Sequence, residues 1–405
     1  MVTEGIIRSG LGAPFFFLLC DGFMDDTSIE ASRSLLLSFY DKHKRPMPWR
    51  ETRDPFSIWV SEVMLQQTRV ETVIPYYRRF LDRFATVHAL AEADEHDVLA
   101  LWSGLGYYRR ARMLHAGAKH VVREHAGAVP ADIDALKKIP GVGDYTAGAI
   151  ASIAFDLREP VLDGNVERVL SRLSAMKGDP RAKTQRNELW SLARRFADAP
   201  RAGDVNQALM ELGATVCTPT SPRCLLCPMR AHCKASGEGD PERYPEKAPK
   251  KAPRTEHWTA FVVRDDEGRA WLGAAPSELD RWKGMLVPPL SLHEERAPSW
   301  VESRSELARV THVLTHARME ISVRDGVVRA NKRPPSDGRF VAMDALDALA
   351  IPKVTRVILA AAEAHVADGS AVSVPSTSRA SSRKKPSIRA RKGRAKKGSS
   401  PPKRT

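Results

Sequence analysis

The segment Ile139–Ala147, IPGVGDYTA, joins two stretches of helical periodicity, one opening near Asp132 and one near Tyr145. Gly141, Val142 and Gly143 form the connection. The glycines let the backbone turn sharply and let another molecule come close. The outgoing helix would then aim its unpaired N–H groups and its positive dipole end at whatever lies there, and a DNA phosphate suits that place. Two glycines at a helix cap also make an ordinary connection. The full nine-residue string is more specific than a bare G-x-G.

Outward from this hairpin the chain reads as helical from Thr27 to about Cys233. Leu35, Leu36, Phe39 and Tyr40 share one helical face, and Val205, Leu209, Leu212 and Val216 form a stripe leading into Cys217. Thr27-x-x-Glu30 has the form of a capping box opening the first helix. The apolar stretch Gly12–Cys20 before it is short and lacks a cleavage pattern, so residues 1–26 are expected to be an extension, with Met24 the expected start. The helical unit ends in Cys217, Cys224, Cys227 and Cys233, spaced C-x6-C-x2-C-x5-C. Four thiolates on one short loop can hold a cubane iron–sulfur cluster. A structural zinc usually shows two C-x2-C knuckles where this chain has one, and paired disulfides suit a secreted chain. All three readings are open on spacing alone. Cys20 has no assigned role.

The Pro- and Lys-rich stretch Glu246–Arg254 marks a linker, placed at 241–256 between a helical domain (27–240) and a smaller α/β domain (257–368). In the latter, Phe261–Val263 and Trp271–Leu272 flank the turn Asp265–Gly268, Met319, Ile321 and Val323 alternate before an expected turn at Asp325-Gly326, and a helix runs near Val354–Ala361. Residues 369–405 read as a basic, disordered tail. The formal charge is +14, but twelve Lys and Arg between Arg379 and Arg404, with no acid, leave only about +2 for the rest. Such a tail favours polyanions by counterion release. No apolar run reaches the length of a membrane span.

Two carboxylates stand out. Glu62 in WVSEVMLQQT (Trp59–Thr68) sits among Trp59, Val63 and Leu65, which solvate a carboxylate poorly. Desolvation would raise its pKa. Asp163 in VLDGNVERVLSRL precedes a helix marked by Val166, Val169, Leu170 and Leu173. It or Asn165 would serve as N-cap, and the helix N-terminus would keep it ionised.

The hairpin and the cysteine loop together resemble the helix-hairpin-helix DNA glycosylase superfamily that includes endonuclease III, over roughly Thr27–Cys233. The resemblance implies a multidomain chain: an all-α helix-hairpin-helix glycosylase fold in two lobes, with a [4Fe-4S] cluster on Cys217, Cys224, Cys227 and Cys233, followed by an α/β domain. Bifunctional relatives carry a lysine where this chain has Tyr145. A phenol cannot form their Schiff base, so strand-nicking lyase chemistry is disfavoured. The Glu62 string resembles the A/G-specific adenine DNA glycosylases (MutY family). That implies Glu62 as the acid protonating N7 of adenine and, later, activating water. Asp163 would stabilise the oxocarbenium ion at C1′, with Tyr145 and Asn165 orienting these groups.

The same resemblance places Trp49, Arg50, Leu65 and Gln207 around the base. It makes Gln67 and Tyr107 wedges that fill the gap left by an extruded nucleotide, with Gly141, Val142 and Gly143 on the DNA backbone. Arg109, Arg110 and Arg112 are candidate phosphate contacts or a solvated helix face, Lys137 and Lys138 read as a solvated face, and Arg223, Arg230 and Lys234 would surround the cysteine loop. The family's C-terminal domain is Nudix-like without the pyrophosphatase residues. Here Thr315 and His316 stand in its lesion-recognition loop, with Leu314 where the family has an aromatic. The implied substrate is double-stranded DNA with adenine opposite 8-oxoguanine or guanine, handled by a monomer in the cytoplasm, at the nucleoid, with no membrane association. Two alternatives are a pyrimidine-lesion or mismatch glycosylase on this scaffold and a non-catalytic iron–sulfur DNA-binding protein.

Overall fold

The structure is a computed structural model that describes residues 24–248, 252–292 and 296–368. The expectations for Cys20 and residues 1–23, and for the basic tail, lie outside the described residues. The helical region comprises α1 (Asp26–His43), α2 (Pro55–Leu65), α3 (Val70–Arg83), α4 (Val87–Ala91), α5 (Glu95–Trp102) and α6 (Arg109–His125). It continues with α7 (Ile133–Lys138), α8 (Asp144–Phe155), α9 (Gly164–Ser174), α10 (Lys183–Ala197), α11 (Ala202–Thr215) and the short α12 (Lys234–Gly237).

Local chemistry accounts for many of the ends. Pro55 opens α2 at a position where its missing N–H costs nothing, and Asp54 caps it by accepting from Ser57 N–H at 2.8 Å. In α1 the cap is Asp25, whose side chain accepts from Ser28 N–H at 2.7 Å. The expected box at Thr27 is displaced by two residues, because an aspartate just upstream reaches the same free N–H groups. Leu35 is exposed rather than part of the buried face, while Ile29, Leu36 and Tyr40 point inward.

The helices build two cores. One gathers Trp59, Phe80, Phe84, Trp102 and their neighbours from α2–α8, and the other gathers residues of α1 and α9–α11. Two helices serve both. In α2, Trp59, Val60 and Val63 face the first core and Ile58 faces the second; in α8, Ala147 and Ile150 face the first and Ala149 and Ile153 the second. A side chain on either helix that points along this seam is therefore held from two sides and shielded from water.

The C-terminal domain is mixed α/β. One sheet runs β4 (Leu290–Leu292), β1 (Arg254–Val263), β6 (Ala317–Val328), β5 (Val301–Val313), with β1 and β6 parallel and the other pairs antiparallel. A second has the order β3 (Leu286–Val287), β2 (Ala270–Ala274), β7 (Arg339–Val341). Helix α13 (Lys353–Asp368) packs on β5 and β6. The Asp265–Gly268 turn forms, with Gly268 N–H donating to Asp265 O at 3.0 Å and Gly268 at φ +78°. Asp325-Gly326 is not a turn. Both residues lie inside β6, in register with Val262 and Val263 of β1, so cross-strand pairing overrides the local turn signal.

The expected linker is partly docked. Tyr244 is buried and its carbonyl accepts from Arg172 Nε at 3.0 Å, and Glu246 accepts from Gly178 N–H at 2.7 Å. The sheet domain also touches the helical one directly. Ser103 Oγ donates to Ile351 O at 2.8 Å, Arg112 donates to Lys283 O, and the Tyr107 and Thr315 hydroxyls are hydrogen-bonded.

Candidate active site

A cavity of about 440 Å³ opens along the seam, within the range of about 300–1,000 Å³ common for small-ligand sites. Glu62 of α2, Tyr145 of α8 and Asp163 and Asn165 at the start of α9 all border it, as do Trp49, Arg50, Leu65 and Gln207. The expected catalytic and base-pocket residues thus converge from five parts of the chain. Trp49 serves two ends at once: it is buried edge-to-face against Tyr77, ring centroids 5.3 Å apart, and it still walls the cavity.

Glu62 is 4% exposed on a helix whose residues from Ile58 to Met64 are all buried. Burial, strengthened by the nearby Asp163 charge, pushes its pKa up to about 7, against the opposing pull of a hydrogen bond from Tyr145 and of Arg50. Tyr145 donates its hydroxyl to Glu62 Oε2. Its own pKa is driven well above 10 by burial and then by the two carboxylates, so it remains a donor at every working pH.

Asp163 is the N-cap of α9, its Oδ1 accepting from the N–H groups of Asn165 (2.9 Å) and Val166 (2.7 Å) and its Oδ2 from Asn165 Nδ2 (2.8 Å). The helix end was expected to keep this carboxylate ionised, and burial works against it. Burial raises its pKa above the ordinary aspartate value, and the Val166 and Asn165 hydrogen bonds and Arg168 only counter that rise. Arg168 also ties this carboxylate to the cysteine loop: its guanidinium donates to Asn165 Oδ1 at 3.0 Å, Gly213 O at 2.7 Å and Cys217 O at 2.7 Å.

Sequence reasoning missed Glu211. It is 1% exposed and binds Arg45 through Nε (2.7 Å) and Nη2 (3.1 Å) and Arg50 through Nη2 (2.9 Å). Burial pushes this carboxyl upward, but the Arg45 and Arg50 contacts outweigh it and hold the pKa below the ordinary glutamate value. The signal lay in helical spacing: Gln207, Met210, Glu211 and Ala214 recur at i, i+3, i+4 and i+7 on α11, and all four border the cavity.

A second cavity, about 970 Å³, adjoins the first and shares Gln66 and Gln67 with it. Gly141, Val142 and Gly143 border it, as do Tyr107, Arg281 and His316. Gly141 has φ +82°, and a Cβ there would lie 2.6 Å from Met113 Cβ, so the turn requires glycine. Gly143 differs from expectation: its φ is −95°, ordinary extended backbone, and it is the N-cap of α8. A Cβ on it would meet nothing within 4 Å, so the end of α8 faces open space. That is where an anion can reach the free N–H groups. Lys137 pairs with Asp144 at 2.9 Å on the exposed face.

Thr315 and His316 are exposed in the tight turn between β5 and β6, closed by Leu314 N–H donating to Ala317 O at 2.8 Å. Leu314, beside them, packs against the core. Arg110 is not a groove phosphate contact: its guanidinium turns inward onto backbone carbonyls, and Arg112 is engaged by the sheet domain. Arg109 is exposed.

The four cysteines form no disulfide and border one small cavity, with Arg172 and Arg230 in its wall. Arg172 Nη1 donates to Cys217 Sγ at 3.4 Å. Burial, and then the neighbouring sulfurs, push Cys227 up to about 12 and raise Cys233. Among the described residues no three Cys, His, Asp or Glu converge on a single metal ion. Among the described residues, too, no helix is long and apolar enough to cross a membrane.

The position of the Tyr145 hydroxyl predicts a pH effect. Because its hydrogen bond favours ionised Glu62, Tyr145→Phe should raise the Glu62 pKa. A pH–rate profile that needs protonated Glu62 falls off near pH 7 in the wild type, and this limb should move to higher pH in the variant. A limb that stays put or moves down would show that Glu62 does not set it.

Residues 60–195 match the family described as HhH-GPD superfamily base excision DNA repair protein. The adenine DNA glycosylase of Rattus norvegicus is 50% identical over 222 residues, 53% of this chain and 43% of that protein, so the chain spans less than half the length of this relative. That of Buchnera aphidicola subsp. Acyrthosiphon pisum is 34% identical over 272 residues, 67% of this chain and 77% of that protein. Among solved structures, a thermostable thymine-DNA glycosylase is 26% identical with a TM-score of 0.48, covering 53% of this chain and 98% of that one. The chain belongs to the adenine DNA glycosylase family, within the helix-hairpin-helix base excision repair proteins.

Proposed function

We propose that this protein removes adenine mispaired with 8-oxoguanine or guanine in double-stranded DNA, hydrolysing the N-glycosidic bond without cutting the strand. The observation that carries this reading is the meeting of the buried side chains of Glu62 and Asp163 on one cavity that shares Gln66 and Gln67 with the hairpin groove. With a pKa near 7, Glu62 is protonated often enough to donate to N7 of an extruded adenine. Protonation makes the base a good leaving group. Positive charge then develops at the sugar, and ionised Asp163 stabilises it. Glu62, now a carboxylate, draws a proton from the attacking water. Tyr145 and Asn165 hold the two carboxyls in place. No lysine is found among the described residues bordering the cavity, which supports hydrolysis without a Schiff base.

Gln67 and Tyr107 would fill the space left by the extruded nucleotide, and the hairpin Gly141–Gly143 would hold a phosphate. His316 borders the same groove, Thr315 is hydrogen-bonded to Tyr107 beside it, and both would read the opposite base, on a Nudix-like domain. The four cysteines would hold a [4Fe-4S] cluster, and the residues fit such a group. All four border one small cavity, they are soft thiolate donors on one short loop, and Arg172 supplies a hydrogen bond to the Cys217 sulfur. When bound, the cluster would supply structural cross-linking of this loop. The protein would act as a monomer in the cytoplasm, at the nucleoid.

The test is single-turnover base release by the purified full chain on duplexes holding A·8-oxoguanine, A·G, A·T and T·G. Free adenine from the first two, with no strand break before alkali, is expected, from a brown protein carrying about four irons and four sulfides. Thymine release instead would favour the pyrimidine-mismatch reading, and a colourless zinc protein would remove the cluster.

A further inference from the structure

Two turns with exposed tips face the groove, and one half-buried arginine joins them. The first turn, Gln66–Thr68, follows α2; the second, Gly104–Tyr107, precedes α6. Each carries a non-glycine residue in the left-handed region, Gln67 at φ +59° and Tyr107 at φ +50°. Such backbone is strained and persists only where surroundings enforce it. Arg110, in the first turn of α6, supplies that enforcement. Its Nη1 donates to Val63 O (2.8 Å), Met64 O (2.8 Å) and Gln66 O (2.6 Å), and its Nη2 donates to Gly106 O (3.1 Å) and Thr68 Oγ1 (3.2 Å). Its guanidinium also lies 5.5 Å from the Trp102 ring and 5.4 Å from the Tyr107 ring.

Val63 and Met64 present carbonyls from the last turn of α2, which lack partners within the helix. One planar fork therefore caps the helix that carries Glu62, closes the Gln67 turn and closes the Tyr107 turn. Among the described residues no carboxylate pairs with this cation. Burial pulls its pKa down to about 10, so it still carries its charge at neutral pH. A half-buried cation with no carboxylate beside it is a costly way to end a helix, which points to a role beyond capping. A lysine ammonium cannot reach both turns at once, because it lacks the fork.

We propose that Arg110 is a positioning residue that sets Gln67 and Tyr107 in advance as one unit, so that both enter the DNA duplex together as the target nucleotide leaves it. This rests on the functional reading above, which makes those two side chains the groove's insertion elements. Arg110 does not border the cavity that holds Glu62 and Asp163, so it acts on extrusion and not on bond cleavage.

The experiment uses the full chain with its cluster and compares wild type with Arg110→Lys and Arg110→Met, each alone and combined with Gln67→Ala/Tyr107→Ala. Extrusion is read by 2-aminopurine fluorescence beside the target adenine in an A·8-oxoguanine duplex, and chemistry by single-turnover adenine release; melting midpoint and iron content report folding. Arg110→Lys is expected to lower extrusion and release about tenfold in the wild-type background and less than about twofold further in the Gln67→Ala/Tyr107→Ala background, with the pH limb near 7 unmoved. Equal losses in both backgrounds, or release by Arg110→Lys at the wild-type rate, would overturn the proposal. Arg110→Lys keeps the charge and the apolar stem, so it remains informative if Arg110→Met does not fold. A wild type that extrudes the nucleotide but releases no adenine would instead sink the functional reading and leave the fluorescence comparison to judge Arg110.

Discussion

Glu62→Gln is expected to slow adenine release by about 10²–10⁴-fold, the range for loss of a positioned general acid, and at the same time to stabilise the folded chain at alkaline pH. The two effects share one cause. In the fold Glu62 titrates near 7, against 4.5 for an ordinary glutamate. The raised value contributes stability that is fully present below the unfolded pKa and is lost as pH rises through the folded one. Above pH 7 the fold must therefore hold an ionised carboxylate that water would solvate better, at a cost of roughly 3 kcal/mol. Glutamine is neutral throughout, and its amide oxygen can still accept the Tyr145 hydrogen bond. The melting midpoint of the variant should match that of wild type below about pH 4, pull ahead as pH rises from there to 7, and exceed it by a constant margin near pH 8. A midpoint difference independent of pH would mean that Glu62 is not desolvated as described, and an undiminished rate would take it out of the reaction.

Asp163→Asn is the second large effect, a loss of about 10²–10³-fold in single-turnover release. The choice of asparagine separates charge from structure. Asparagine caps a helix about as well as aspartate, so the Val166 and Asn165 N–H groups keep an acceptor and the melting midpoint should hardly move. Asp163→Ala removes charge and cap together and should cost about a further 1 kcal/mol of stability. In wild type the rate should also decline toward acid as Asp163 takes up a proton, at a pH above that of an ordinary aspartate because burial raises it. With Glu62 setting the alkaline limb, the profile is a bell. Release at full rate from Asp163→Asn would leave the developing charge without its counter-ion and refute the assignment.

Much of this site could be read from the chain because its signals are local. A glycine-punctuated turn between two helical periods, an aspartate before a helix and a glutamate inside an apolar run are all visible over ten residues. What stayed hidden depends on residues far apart. Glu211 meets Arg45 and Arg50 from more than 160 positions away, and only folding reveals that its charge is buried and paired. Arg110 looked like one cation in a basic cluster because sequence does not say which way a side chain turns. Asp325-Gly326 has turn composition, yet ten residues of parallel pairing with β1 outweigh that preference. The cap at Asp25 rather than Thr27 is a smaller miss of the same sort, two neighbouring acceptors competing for one set of donors.

Helix α2 sends Ile58 into one core and Trp59, Val60 and Val63 into the other. A proton donor mounted on such a shared beam cannot be tuned independently of the scaffold. Trimming a methyl group on either side would tilt the beam, alter how dry the carboxyl is and so move the acidity on which turnover depends. Inherited or engineered changes remote from the cavity should then surface as altered pH optima before they surface as unfolding.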